Sequence, residues 1–508
     1  MSSQATDINS EFSLLGLHTI LLGTFGVGLL GFASLVATIV YNVFLHPLRK
    51  YPGPKLWAAT RIPYTRSYLS GQVHRDILKL HQEYGPIVRV APNELAYNHP
   101  DAWKDLHGHL KNGTGDHGRD PVFTKDSRQS IIGGNREDHS RFRRALSHGF
   151  SAQSMFEQES IIKKYVDLLF ERLREKSSKD SQPVNMVAWY NWTTFDIIGD
   201  LAFGESFGCL DNSAYHPWVK ILFDGIKEGT FKSNIRRYPI VEKLLMKFVP
   251  AELKNKRDQH VQLTREKVAK RVSMQTERSD FMDSMTKKKG PQELNFEELR
   301  ANSSTLIVAG SETTATALSA ITYYLTTHTR AMTKLNEEVR SAFSTEADID
   351  MVSVQKLQYM QAVVNEGLRM YPPVPTGIMR RVSEGEGLFL GQYVPKGTLV
   401  QVWHWPVFHN PEHFTLPDSF IPERWLDNSR FTSDKKEAFQ PFSVGPRNCI
   451  GRNLAYAEMR LILARMIWNF DMKLSEESRG WDEKSQVYLL WDKGPLNIYL
   501  TPRTLVRR

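Results

Sequence analysis

Near its C-terminus the chain reads Phe442-Ser-Val-Gly445-Pro-Arg447-Asn-Cys449-Ile-Gly451, directly before a segment of helical periodicity. At average residue frequencies, F-x-x-G-x-R-x-C-x-G arises by accident on the order of once in ten thousand chains of this length, so the spacing is read as chemistry rather than chance. Glycine permits a tight turn, and backbone N–H groups beside a helix N-terminus stabilise a thiolate. Such a sulfur can ligate iron. Cys209, the other cysteine, lacks these surroundings and reads as a small buried apolar residue. Two cysteines are too few for a disulfide scaffold or a Cys-built zinc site, and a reducing compartment is the default.

A second group, Ala309-Gly310-Ser311-Glu312-Thr313-Thr314, lies in a helix predicted over Phe296 to Thr327 and opened by a capping box from Asn295 and Glu298. Gly310 removes side-chain bulk, so that a bound oxygen could approach the backbone beside Thr313. A lone helical threonine most often bonds a preceding carbonyl. The cysteine loop makes the chemical reading the stronger one. With these two motifs the chain resembles the cytochrome P-450 family, the heme-thiolate monooxygenases, over roughly residues 47–508.

The resemblance implies roles for further residues. Cys449 would be the axial ligand of heme b, within a loop that begins at Phe442. Thr313 would hydrogen-bond the oxygen being activated, together with an ordered water, and Glu312 would relay protons from solvent. Burying two heme propionates without partners is costly, and His139, Arg143, Arg380 and Arg447 match the family's cationic or hydrogen-bonding positions. His139 stands where the family usually has Trp. Glu366-Gly-Leu-Arg369, followed by Met-Tyr-Pro-Pro-Val-Pro375, with Arg424 in Phe420-Ile-Pro-Glu-Arg424-Trp, resembles the family's structural Glu-Arg-Arg network. The same E-x-x-R spacing at Glu171, Glu297, Glu337 and Glu476 reads as solvated helix pairs.

The elements that must position these groups are mainly helical. Periodicity predicts helices over Arg75–Tyr84, Met155–Lys176, Asn191–Phe203, Phe296–Thr327 and Leu454–Asn469. Short β-like runs at Ile87–Val90, Gly387–Leu390, Leu399–Val402 and Tyr488–Leu500 predict a minor sheet region. The expected class is mainly α with a minor β-sheet region, the cytochrome P-450 fold, preceded by a single transmembrane helix. The stretches Leu106–Ile131 and Phe207–Arg237, which match no motif, are expected to shape the pocket. Triplets at Asn112, Asn191 and Asn302 fit the N-glycosylation signal and read as chance matches.

No Lys, Arg, Asp or Glu occurs from Phe12 to Leu45. As a helix, its inner stretch Thr19–Tyr41 would run about 35 Å, enough to cross a hydrocarbon core. Asp7 and Glu11 precede it and Arg49, Lys50 and Lys55 follow, which favours an uncleaved anchor with the rest of the chain in the cytosol. Pro47, Pro52, Gly53 and Pro54 predict a helix-breaking hinge. Two regions are therefore expected, a tail and anchor over 1–46 and a monooxygenase domain over 47–508, in the endoplasmic reticulum membrane. Among 508 residues, 65 Lys plus Arg against 56 Asp plus Glu give a formal charge of +9, which by itself does not choose among membrane, protein and nucleic acid.

The resemblance implies a monooxygenase that takes electrons from NADPH through a reductase, cleaves O2 and inserts one oxygen atom into an apolar small molecule. Its closest likeness is to fungal members associated with polyketide, terpenoid or alkaloid pathways. No nucleic-acid partner is expected. By the same resemblance, Arg141, Arg144, Lys435, Lys436 and Arg452 would form a basic face for the reductase, although Arg141 and Arg144 taken singly read as solvent-facing. The alternatives are a reductase-independent heme-thiolate isomerase or dehydratase, and a non-catalytic heme-binding protein. Neither needs the intact Glu312–Thr313 pair.

Overall fold

The computed structural model describes residues 4–110, 115–179, 182–248, 250–274, 278–287, 290, 293–385 and 387–503. Helix α1 (Gln4–Val40) continues through a π-helical turn, Tyr41–Leu45, and ends at His46, whose extended backbone is what a following proline demands. Within it Leu22–Leu45 spans 24 residues at a mean hydropathy of 1.9, long and apolar enough to cross a membrane. Leu22, Phe25 and Leu30 are exposed. The proline-rich segment after it breaks the helix as predicted but is docked rather than loose. Asn42 donates to the Ala59 carbonyl at 2.9 Å, Arg89 donates to the Asn42 carbonyl at 2.9 Å, and the Arg89 amide donates to the Pro52 carbonyl at 2.8 Å.

The body is organised around five helices: α2 (Arg136–Ser147), α3 (Met186–Phe203), α4 (Phe296–Thr327), α5 (Gln358–Met370) and α6 (Arg452–Asn469). Helix α3 carries apolar residues on every face and is buried along its whole length, as a helix without a polar stripe must be. It packs along α4, and glycine sets the approach. A Cβ on Gly310 would lie 2.6 Å from Ile198 Cδ1, and one on Gly367 of α5 would lie 2.3 Å from Ile321 Cγ1 of α4. The predicted capping box opens α4, with the Glu298 amide donating to Asn295 Oδ1 and the Asn295 amide to Glu298 Oε2, both at 3.0 Å.

The sheets are small. β1 (Ile87–Ala91), β2 (Glu94–Tyr97), β3 (Gly118–Arg119), β5 (Arg380–Arg381) and β8 (Leu399–Val402) form one sheet in the order β1-β2-β8-β5-β3. In its β3–β5 pair Arg119 stands opposite Arg380. β4 (Val184–Asn185), β9 (Phe470–Leu474) and β12 (Asn497–Pro502) form a second; β6 (Leu388–Phe389) with β7 (Gln392–Tyr393), and β10 (Gln486–Tyr488) with β11 (Leu490–Asp492), form two hairpins. The run Tyr488–Leu500 is therefore not one strand. Leu489 turns the chain at φ +71°, and Pro495, without an N–H, sits in the break between β11 and β12.

All five predicted helices are present, α4 with both of its predicted ends. Asn191 and Asn302 are buried within α3 and α4, so their triplets are closed to modification; Asn112 lies outside the described residues.

Glu458 of α6 is buried against α4, hydrogen-bonded to Thr314, with its Oε2 unpartnered. Burial pushes its carboxyl up to about 8. Between the ordinary glutamate value and about 8 the folded protein retains a proton that the unfolded chain releases, so this group costs about 1.4 kcal/mol of stability per pH unit as pH rises. Glu458→Gln should therefore lose less of its melting temperature than the parent between about pH 5 and pH 8. Parallel melting curves in the two proteins would refute the assignment.

Candidate active site

Glu366 anchors the approach to the cysteine loop. Its carboxylate accepts from Arg369 Nε and Nη2 at 2.9 and 2.8 Å, Arg424 Nε at 3.0 Å, Trp425 Nε1 at 2.9 Å and the Ile421 amide at 2.9 Å. Arg369 and Arg424 in turn donate to the carbonyls of Phe408, Pro417, Ser419 and Thr415. All three charged side chains are buried, and the two arginines hold the Glu366 carboxyl below its ordinary value against the cost of burial. The predicted Glu-Arg-Arg network is thus present.

Downstream, the chain closes a loop in which the Cys449 amide donates to the Phe442 carbonyl at 2.9 Å and the Asn448 amide to the Gly445 carbonyl at 3.1 Å. Gly445 is at φ +78°, and a Cβ there would lie 1.9 Å from the His107 carbonyl oxygen, so only glycine fits. Gly451 caps α6, and its amide points at the cysteine. The Cys449 side chain is open although it lies deep in the protein. Burial pushes the thiol up, while the Gly451 amide, Arg143 and Arg452 favour the thiolate. Phe442 packs its ring on Tyr456 at 5.1 Å.

Four of the sequence-derived residues fall into two places. Arg380, Arg447 and His139 share one buried region beside the loop; Arg143 stands apart, its Nη1 and Nη2 donating to the carbonyl and Oδ1 of Asn448. Burial, with Arg447 and Arg119 close by, holds His139 at about 3 and therefore neutral. The sequence reading missed two members. Asp116 accepts from Arg447 and Arg380, and Arg119 has Nε and Nη1 buried with no partner. Both lie in the stretch Leu106–Ile131, which carries no motif and was expected only to shape the pocket.

Within the middle of α4, Gly310, Glu312, Thr313 and Thr314 meet different neighbours. Gly310 faces Ile198 of α3, so its missing side chain serves helix packing. Glu312 is buried and ion-paired to Lys493, which follows β11, and accepts from Thr316 at 3.3 Å; its Oε2 is unpartnered. Thr313 remains partly open, and its hydroxyl donates to the Ala309 carbonyl at 2.6 Å. Thr314 turns to Glu458. Ala309 is exposed in the middle of this helix. A cavity of about 480 Å³ reaches Glu312 and Lys493 from between Asn191, Tyr215, Lys227 and Asp492.

An open cysteine at a helix N-terminus, an acid–threonine step in a long buried helix and a buried Glu-Arg-Arg network occur together, and the sequence model of the cytochrome P450 family matches residues 51–499. The chain is a cytochrome P450. It is 52% identical to a trichothecene C-15 hydroxylase of Fusarium sporotrichioides over 93% of this chain and 97% of the relative. An Aspergillus oryzae cytochrome P450 monooxygenase is 44% identical over 92% and 94%, and an averantin hydroxylase of Dothistroma septosporum 43% identical over 95% and 92%. This P450 is accordingly a heme-thiolate monooxygenase that inserts one atom of O2 into an apolar small molecule, in a family whose heme iron is held by a cysteine thiolate and served by a reductase.

One expectation needs revision. Arg141 is not a solvent-facing member of the basic face: it forms an ion pair with Glu298, with Nη1 donating to Oε2 at 2.8 Å, and so ties α2 to the capping box of α4. Arg144, Lys436 and Arg452 are exposed and Lys435 half-exposed. The stretches Leu106–Ile131 and Phe207–Arg237 are tied to each other, Arg237 pairing with Asp120 and Arg236 with Asp126, the latter at 2.7 Å, and Tyr215 and Lys227 of the second line the cavity.

Lys493 was also invisible to the sequence reading, since nothing marks a lone lysine 181 positions from its partner. Breaking a buried pair leaves an uncompensated charge and costs about 3–5 kcal/mol. Lys493→Met should lower the melting temperature markedly and Lys493→Arg much less, while Glu312→Gln combined with Lys493→Met should recover part of the loss. Additive losses in the double variant would show that the two side chains do not act on each other.

Proposed function

We propose that heme b is held by Cys449, with the loop from Phe442 around it, and that Arg380, Arg447, Arg119 and His139 receive its propionates. The observation that carries this reading is the pairing, within one interior, of an open thiol with a guanidinium, Arg119, whose buried Nε and Nη1 find no hydrogen-bond acceptor among the described residues. An unpartnered buried cation calls for an anion. The residues fit the group: a thiolate donor set on a helix N-terminus, and donors for two carboxylates. Arg143, held against Asn448, supports the thiolate at Cys449.

When bound, heme with a cysteine thiolate supplies reductive O2 activation and favours O–O cleavage. The chain's own residues bring protons to that point. Glu312 Oε2, buried and unpartnered, is the atom that takes a proton arriving through the cavity beside Lys493. Thr313 exchanges its bond to the Ala309 carbonyl for a bond to the reacting oxygen or to an ordered water. The intact pair supports monooxygenation over isomerase, dehydratase and non-catalytic readings. The relatives named for trichothecene and averantin support a substrate from fungal secondary metabolism. In this reading Leu22–Leu45 crosses the endoplasmic reticulum membrane, residues 47–508 form the cytosolic domain, and the reductase meets Arg144, Lys435, Lys436 and Arg452.

Cys449→Ala should abolish the thiolate-type absorbance of the reduced carbon monoxide complex; retention of that spectrum would reject the ligand. Thr313→Ala should keep it, yet product formed per NADPH should fall by about tenfold with a rise in peroxide, since positioned proton transfer contributes about 10²–10⁴-fold. Parent-like coupling in that variant would remove Thr313 from the mechanism.

A further inference from the structure

The interior beside the cysteine loop carries more positive charge than the chain's own residues balance. Arg119 and Arg380 face each other across the β3–β5 pair, a placement of like charges that destabilises strands unless anions intervene. Arg447 enters from the loop, so three permanently charged guanidinium groups converge. Asp116 is the carboxylate among them: its Oδ2 accepts from Arg447 Nε at 2.5 Å and from Arg380 Nη1 at 3.3 Å, with the side chain 5% exposed. Its Oδ1 is 4.0 Å from Arg136, whose side chain is 43% exposed and hence screened.

The surroundings do not change this balance. His107 and His139 are kept neutral by burial and by the arginines, and His117 Nδ1 accepts from the Ser383 amide at 3.3 Å. Asp120, four residues on, is committed to Arg237. Among the described residues, the buried Arg380 and Arg447 and the partly open Arg119 stand against one buried carboxylate, which leaves two positive charges, and the buried Nε and Nη1 of Arg119 point at no protein group.

We propose that Asp116 is a positioning residue for the cofactor: it sets the surplus charge of this cluster at two, matching the two carboxylates of heme, and fixes Arg380 and Arg447 while leaving Arg119 to the ligand. This rests on the heme reading above. Asp116 therefore opposes heme retention electrostatically while it orders the cluster. A residue that merely propped the pocket open would do the reverse.

The test follows the loaded enzyme during heme transfer to excess apomyoglobin, together with its ferric–ferrous midpoint potential. Asp116→Asn raises the surplus to three and should slow heme loss by about tenfold and move the potential positive, since a nearby negative charge is removed. Arg119→Gln lowers the surplus to one and should speed heme loss and move the potential negative. The double variant, with the surplus again two, should return to within about twofold of the parent. Faster loss in both single variants, with additive loss in the double, would overturn the proposal. If Asp116→Asn does not fold, Arg119→Gln alone still decides, because unchanged release and potential there would refute the charge balance. Failure of the parent enzyme to bind heme would instead reject the underlying cofactor assignment.

Discussion

The carboxylate of Glu366 is the point on which the rest of the site depends. It is an anion without solvent contact, and an anion in that position persists only if every lone pair is answered. Five donors answer it, and they come from its own helix and from residues 421–425. The two arginines then use their remaining N–H groups on carbonyls between Phe408 and Ser419. A segment with almost no regular secondary structure is thereby wound into one conformation. The chain then runs on from Trp425 to the cysteine loop, which begins at Phe442.

Helix α4 works on a different principle. Between Gly310 and Thr314 it serves packing, charge, chemistry and a second buried acid. Gly310 must be glycine because Ile198 occupies the place of a Cβ. Glu312 can be charged because Lys493 arrives from the C-terminal segment. Thr314 is committed to Glu458, so Thr313 is the hydroxyl of the pair left facing open space.

The charges also divide by sign and depth. Among the described residues the arginines near the loop are in excess and are matched by one buried carboxylate, Asp116, whereas Arg141 is neutralised by Glu298 and ties α2 to the start of α4. The exposed cations Arg144, Lys436 and Arg452 lie outside both sets. The +9 of the whole chain is thus a sum over groups with separate partners, which is why it chose no function when read as a single number.

What the sequence by itself determined was local. The turn at Gly445, the cap at Asn295, the apolar run ending at Leu45 and the E-x-x-R step of α5 each depend on residues within a few positions of one another, so spacing alone revealed them. The strand Leu399–Val402 was legible for the same reason, whereas Tyr488–Leu500 misled because β-propensity does not register the positive φ at Leu489. The tertiary structure alone decided which charges meet. Asp116 and Arg447 are 331 residues apart and Glu312 and Lys493 are 181 apart. No periodicity spans such distances, because burial and Coulomb attraction act on position in space and the chain between them leaves no trace of that position in its order.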